Sequence, residues 1–421
     1  MTDLKAIKST DYTYELPQNR IALYPLQKRD ESKLLVYKNG NISSDIFKNI
    51  TRYIPENSII ILNNTKVVNA RIYFKKNTGA RIEIFCLEPE KGLSHLEAAY
   101  TEKGSSVWKC LIGKAGKWKS GQSLQTSLLK NGEYTLEAKI TGKGKDFFLI
   151  EFKWKPQELS FLEILHLFGI TPLPPYIKRE AERSDESTYQ TIYAEHDGSV
   201  AAPTSGFHFT DETLNSLKNK KIETKFLTLH IGAGTFKPVT SDTIGEHNMH
   251  PEKIIINKNL IECLYLNLKT SNTENYKTVI MGGTTSTRAL ESFYWFALSL
   301  MNDFKEELLI NGFNVSQWLP YENKYEKLKE CEPFEFILDK MTKYNLDEIF
   351  GETSLIIVPG YKFKVTDALI TNFHLPGSTL LLLVAALTGN NWREIYNYAL
   401  ENEFRFLSYG DSSILFKNKE V

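Results

Sequence analysis

Four short segments of this chain combine small residues with side chains able to move a proton or grip an anion. In the first, Gly198–Asp211, the run Ala-Ala-Pro-Thr-Ser-Gly lets a backbone approach a ligand closely. It carries Thr204 and delivers His208 just ahead of a helix start capped by Thr210 or Asp211. In the second, Thr228–Phe236, a strand ends on His230 and runs into the turn Gly232-Ala233-Gly234. The carboxyl ends of strands in α/β sheets are where ligands bind. No Gly-x-Gly-x-x-Gly is present, so no dinucleotide site is read here. The third, Val279–Ser292, reads as strand, glycine turn and helix start. Its free backbone N–H groups and the hydroxyls of Thr284 and Thr285 would favour a carboxylate or phosphate, which Arg288 could grip bidentately. The competing reading is a plain turn with Arg288 paired to a structural acid. The fourth, Val365–Ser378, contains Asp367 and releases Asn372 and His374 into a tight loop.

Histidines titrate near neutrality, so His208 and His230 are the first candidates for a proton-transfer pair. His374 is the third candidate, and Asp367 is the fallback. Each also has a bland reading as a satisfied structural side chain. His247 and His250 lie three apart, but the intervening Met249 and following Pro251 match no zinc signature, and no metal is expected.

The elements that must position these groups fall into two kinds. Between Val67 and Lys155, short alternating runs such as Arg81–Phe85 and Phe147–Phe152 are separated by glycine turns, which predicts a small all-β unit, a barrel. Lys103 to Lys145 holds nine lysines against two glutamates, a patch suited to RNA backbone or simply a solvated surface. After Pro156, strands and helices alternate. The buried run Ile59–Leu62 belongs with them, so the expected fold is α/β, with a barrel-like core over residues 1–66 and 156–421 and residues 67–155 inserted. Residues 301–352 carry twelve acidic residues and six lysines with no strand signal, and read as a surface helical hairpin.

Composition supplies the bounds. With 421 residues, 42% of them hydrophobic, the chain can build two domains and is not disordered. Zero net charge excludes a globally polyanion-seeking protein, so any nucleic-acid contact must be local. Cys86, Cys110, Cys263 and Cys331 lie far apart, as expected of idle thiols in a reducing compartment. The first residues lack a signal-peptide core, and the run Leu380–Leu387 is too short to span a bilayer. A cytoplasmic protein without membrane contact is expected.

Collinear strings along the chain resemble the S-adenosylmethionine:tRNA ribosyltransferase-isomerase family of queuosine biosynthesis. Among them are Asp11-Tyr12-x-Tyr14-Glu15-Leu16-Pro17, Asn63-Asn64-Thr65-Lys66-Val67, Pro174-Pro175-Tyr176-Ile177 and Ala201-Ala202-Pro203-Thr204-x-Gly206-x-His208-Phe209. Gly283-Thr284-Thr285-Ser286-Thr287-Arg288, Thr371-Asn372-Phe373-His374-Leu375-Pro376 and Phe404-Arg405-Phe406-x-Ser408-Tyr409-Gly410-Asp411 complete the pattern. The resemblance implies an α/β core with an inserted β-barrel. It also implies transfer of the ribosyl group of S-adenosylmethionine to 7-aminomethyl-7-deazaguanine at the tRNA wobble position, giving epoxyqueuosine-tRNA, adenine and methionine. S-adenosylmethionine is then a co-substrate, and no cofactor is implied. Ligand contacts are expected at Thr204, Gly232, Gly234, Thr284, Thr285, Arg288 and Asn372. RNA contacts are expected at Arg29, Asn64, Lys66, Arg71, Lys114, Lys117 and Lys119, in a monomer. The alternatives are ribosyl transfer to another acceptor and a non-catalytic RNA-binding module. The chain departs from the family pattern in its long acidic connection after Phe293 and in the loosely matching Gly113–Lys119.

Overall fold

The structure, a computed structural model, describes residues 4–76, 78–119, 121–129, 132–232, 234, 241–322 and 329–418. Its strands in chain order are β1 (Lys33–Lys38), β2 (Asn41–Ile46), β3 (Ser58–Asn63), β4 (Thr65–Val67), β5 (Arg71–Lys75) and β6 (Arg81–Pro89). They continue as β7 (Ser105–Gly113), β8 (Ser123–Leu129), β9 (Glu133–Lys143), β10 (Phe148–Lys155), β11 (Gly169–Ile170), β12 (His196–Ser199) and β13 (Glu223–His230). The last are β14 (Glu252–Asn257), β15 (Thr278–Gly282), β16 (Phe313–Val315), β17 (Glu348–Thr353), β18 (Ala368–Asn372) and β19 (Ser412–Phe416).

Ten strands form one mixed sheet in the order β16-β17-β14-β13-β3-β15-β18-β19-β1-β2. At its centre β13, β3, β15 and β18 run parallel, so their carboxyl ends share one edge. Helices cover the sheet and bury both faces, which explains why β3 is a continuous apolar run rather than an alternating one. Its side chains split by parity. Ile59 and Ile61 join a core with Val279, Met281 and Leu290, while Ile60 and Leu62 join Leu34, Ile280 and Ile370 on the other face. The chain is therefore α/β, as its alternating pattern predicted. The hydrogen-bonded ladder of the large sheet does not close, since β16 and β2 are its edges.

A second sheet of seven antiparallel strands runs β11-β5-β6-β7-β10-β9-β8. It has its own core of Ile72, Phe74, Ile84, Trp108, Leu136 and Phe152. The helix Phe161–Phe168 docks Phe161, Ile164 and Leu165 there, so this cluster reaches beyond Lys155.

One expectation is corrected. Residues 301–352 are not a surface helical hairpin without strands. They supply β16 and β17, and β17 pairs with β14 from Glu252↔Thr353 to Asn257↔Glu348. The helix Glu332–Lys343 buries Phe334, Ile337 and Met341 in the main core. The acidic residues among the described ones mark the solvent side of structural elements. Residues 323–328 of this segment lie outside the described residues. No helix among the described residues is long and apolar enough to cross a membrane.

Candidate active site

The parallel strands decide where the site lies. β15 ends at Gly282 and β18 at Asn372, on the shared carboxyl edge, and a cleft of about 760 Å³ opens there. Three of the four segments meet in it as runs, Ala201–Ser205, Gly283–Thr285 and Thr371–Leu375, and the segment Thr228–Phe236 reaches it only through Ile231. Tyr176, Ser378, Leu380, Leu407 and Ser408 complete the wall.

Gly283 makes the turn into the helix Thr284–Asn302 with φ 104°, a left-handed value that favours glycine, and a Cβ there would meet the Ser205 hydroxyl at 2.6 Å. The backbone N–H of Thr287 is the first to bond back into the turn, to Gly283 O at 3.1 Å. No side chain caps this terminus, so the N–H groups of the first turn and the positive helix end are available to an anion. The helix is anchored by Glu291. Its fully buried carboxylate accepts hydrogen bonds from the Tyr361 hydroxyl, from the N–H groups of Lys364, Val365 and Thr366, and from the Thr366 hydroxyl. That clamp ties the helix to the loop feeding β18, and so holds two walls of the cleft together.

His374 is the one candidate histidine lining this cleft. Its Nε2 lies 2.9 Å from the Thr371 hydroxyl, and its backbone N–H donates to Tyr396 Oη at 3.1 Å. The Tyr14 hydroxyl donates to its carbonyl. Burial pushes the imidazole pKa down to about 3, so it stays neutral across the physiological range. In the same cleft the Tyr176 and Ser408 hydroxyls lie 2.6 Å apart, and burial raises the phenol to about 12. Thr204 donates to Asn372 Oδ1 at 3.0 Å.

The other candidates are placed elsewhere. His208 is 3% exposed and lies outside the main cleft, on the wall of a small separate pocket with Arg29, Ser32 and Arg405. Its Nδ1 meets Ser32 Oγ at 2.7 Å and its Nε2 meets Asn372 Nδ2 at 3.0 Å. His230 points away from Ile231 into a second cleft, with Nδ1 2.9 Å from the Thr65 hydroxyl and Nε2 3.8 Å from Glu97. Gly198 lies flat against its ring, since a Cβ there would come within 2.5 Å of the imidazole. The two histidines are therefore not a pair acting on one ligand. Asp367 sits at the opposite end of β18 from Asn372, where it accepts from the Tyr276 hydroxyl at 2.7 Å and the Val279 N–H at 2.9 Å. It is a strand-end tie rather than a reserve base.

Arg288 is likewise corrected. It lies a full turn inside the helix and is 4% exposed, pairing with buried Glu252 at 2.7 Å and donating to Leu355 O at 3.0 Å. Its Nη2 is buried without a partner among the described residues. The structural reading of that arginine wins, and the helix terminus alone is left to meet an anion. Gly232 and Gly234 are not among the residues lining the cleft, and residues 233 and 235–240 lie outside the described residues.

Of the residues expected to meet RNA, Arg29 spends its guanidinium on the carbonyls of Gln190 (2.6 Å) and Ser187 (2.8 Å). Asn64 joins Thr228 to Glu195, Lys66 pairs with Asp197 at 3.4 Å, and Arg71 pairs with Glu83 at 3.3 Å. Lys114, Lys117 and Lys119 are exposed in the connection between β7 and β8. Among the described residues, no group of three potential metal-ligating side chains occurs. Sequence reasoning missed Tyr176, Ser205 and Ser408 as cleft residues. All three lie in or beside strings that carried the family resemblance, which was the available signal.

An α/β core with a partly apolar cleft at its carboxyl edge, a bare helix terminus and a neutral histidine is the arrangement of a small-molecule site. Comparison with known proteins narrows the class. The family model described as "Queuosine biosynthesis protein" matches residues 9–415, and the chain belongs to that family. It is 34% identical over 97% of its length to the whole of a Sulfurihydrogenibium protein named S-adenosylmethionine:tRNA ribosyltransferase-isomerase. A solved S-adenosylmethionine tRNA ribosyltransferase from Thermotoga maritima is 26% identical, with 96% of this chain and all of that one covered and a TM-score of 0.45.

Proposed function

We infer that this chain is an S-adenosylmethionine:tRNA ribosyltransferase-isomerase of queuosine synthesis. The observation that carries the reading is the meeting of Ala201–Ser205, Gly283–Thr285 and Thr371–Leu375 in one cleft at the carboxyl edge. On this reading the methionine carboxylate binds at the terminus of Thr284–Asn302, and the nucleoside packs along Ala202, Phe373 and Leu407.

The chemistry assigned to the site is ribosyl transfer to the aminomethyl group of 7-aminomethyl-7-deazaguanine in tRNA. The sulfonium acidifies the adjacent ribose carbon, a base removes a proton there, and adenine departs. The neutral amine attacks the ribose carbon, and methionine leaves as the epoxide closes. His374, the candidate histidine that lines the cleft, is the proposed proton acceptor, and no metal or redox cofactor enters. The proposed RNA-facing surface is the lysine-rich face of a domain built on residues 67–155, inserted in a core of residues 1–66 and 156–421. The separate hydrophobic cluster of that region supports the division. A bond from Lys76 Nζ to Lys117 O, 2.7 Å, links the end of β5 to the approach to β8, in keeping with a small β-barrel.

Adenine release tests the reading. It is expected with tRNA carrying the aminomethyl-deazaguanine, and not with unmodified tRNA. Release with the free base alone would reassign the acceptor, and none with any acceptor would leave a binding protein.

A further inference from the structure

We propose that a buried relay, Ser32–His208–Asn372–Thr204, fixes the Thr204 hydroxyl as a hydrogen-bond acceptor toward the ligand, which makes His208 a positioning residue. The ligand half of this proposal rests on reading the cleft as the S-adenosylmethionine site. The deduction begins at the one group in the chain that has no choice. The Asp411 backbone carbonyl can only accept, and it lies 3.4 Å from Asn372 Nδ2. The amide nitrogen of Asn372 must therefore face that side, which sets the orientation of the whole side chain.

One proton of that amide goes to Asp411 O, and the other points at His208 Nε2, 3.0 Å away. Nε2 must then be the bare nitrogen of a neutral imidazole. The ring proton sits on Nδ1, which lies 2.7 Å from Ser32 Oγ. At the far end, Asn372 Oδ1 can only accept, so Thr204 spends its single proton there, at 3.0 Å. Only lone pairs of Thr204 remain for the cleft. The group it meets must bring its own proton, as a nucleoside hydroxyl or N–H does.

The surroundings hold this polarity in place. His208 is 3% exposed, and its ring packs on Phe47 with centroids 5.1 Å apart. Burial, with the Arg405 and Arg29 charges, pushes its pKa down to about 3, against a hydrogen bond with the Arg29 backbone. A second ring proton would point Nε2–H at the Asn372 amide protons and break the relay.

Nitrogen NMR of ¹⁵N-histidine-labelled protein tests the relay without any ligand. Between pH 5 and 8, His208 is expected to show a bare Nε2 and a protonated Nδ1, and a protonated Nε2 overturns the proposal. The ligand half is read by calorimetry and by separating KM from kcat. Thr204→Val is expected to weaken S-adenosylmethionine binding about 2–10-fold, the worth of one hydrogen bond, with kcat little changed. Thr204→Ser should bind like wild type. His208→Phe, which keeps the ring and loses the acceptor, should match Thr204→Val, and the double variant should lose no more. His208→Gln, with an amide oxygen near the Nε2 position, should recover part of the loss. Additive losses, or wild-type binding in both single variants that melt normally, overturn the relay. Leu375→Trp obstructs the cleft away from the relay. If it binds S-adenosylmethionine normally, the reading of the cleft fails, and the ligand half of the proposal with it, while the histidine resonances still judge the relay.

Discussion

Two clefts lie on either side of one short stretch of backbone, and they are built from opposite materials. Ile231 lines the first and His230, its neighbour, lines the second. The first is walled by alanines, hydroxyls, Phe373 and Leu407, with a bare helix terminus and a neutral His374. In the second, of about 1340 Å³, buried Lys253 pairs with Glu97, a residue carried by the short helix Leu96–Thr101 beside the seven-stranded sheet. Burial pushes the Glu97 carboxyl up, but the contacts to His230 and Lys253 outweigh it and hold the group at about 2. The first cleft leaves its polar groups open to a ligand. In the second, His230 and Lys253 are both engaged with Glu97, which joins two parts of the molecule. A histidine near the end of a strand thus meets an open cleft or an acidic partner according to where the backbone aims it.

The comparison is broken most severely if the two histidines behave alike. His374→Ala is expected to slow the chemical step by about 10²–10⁴-fold with S-adenosylmethionine binding largely kept, as for loss of a general base. His230→Ala should leave single-turnover adenine release within a few-fold. Equal losses in the two variants would place the chemistry across both clefts.

Arg288 sharpens the boundary between ligand grip and scaffold. Arg288→Ala leaves the buried Glu252 carboxylate without its guanidinium, which costs about 3–5 kcal/mol of stability in urea titrations. The fraction that remains folded should bind S-adenosylmethionine as wild type does. A weakened ligand with unchanged stability would return Arg288 to the binding site.

The helix terminus should give an intermediate effect. Gly283→Ala forces a Cβ toward Ser205 at a left-handed backbone position. Displacing the first-turn N–H groups should weaken S-adenosylmethionine binding by about 1.5–3 kcal/mol, the range of a hydrogen bond to a charged group. Wild-type affinity by calorimetry would move the carboxylate elsewhere.

Two effects carried by exposed charges come last. Exchanging Lys114, Lys117 and Lys119 for alanine should flatten the salt dependence of tRNA binding by roughly one slope unit per lost phosphate contact. An unchanged slope would move the RNA surface off this sheet. Glu97 titrates lower in the folded protein than in the unfolded chain, so it adds stability at neutral pH and loses it as pH falls from about 4.5 toward 2. Because Glu97 is half exposed, the gain stays below about 1 kcal/mol. Melting temperatures of wild type and Glu97→Gln should differ at pH 6 and converge near pH 2, and a constant difference would deny the link.

The sequence by itself determined the sheet centre, the helix start and the cleft strings. β3 is a continuous run of Ile59–Leu62, which only a strand buried on both faces needs, and Gly283-Thr284-Thr285 marks a turn whose backbone must come close to something. These are local patterns, set by the period of a strand and the sterics of a glycine. Partner choice was not local. Arg288 met Glu252 across 36 positions, Asn372 met His208 across 164, and Asp367 fell at the closed end of its strand. Likewise β17 read as acidic surface because its pairing residues in β14 lie almost a hundred positions away. A side chain's type and spacing say what it can bond. Which group it reaches, and whether anything is left over for a ligand, depends on the faces and registers that only the packed sheet fixes.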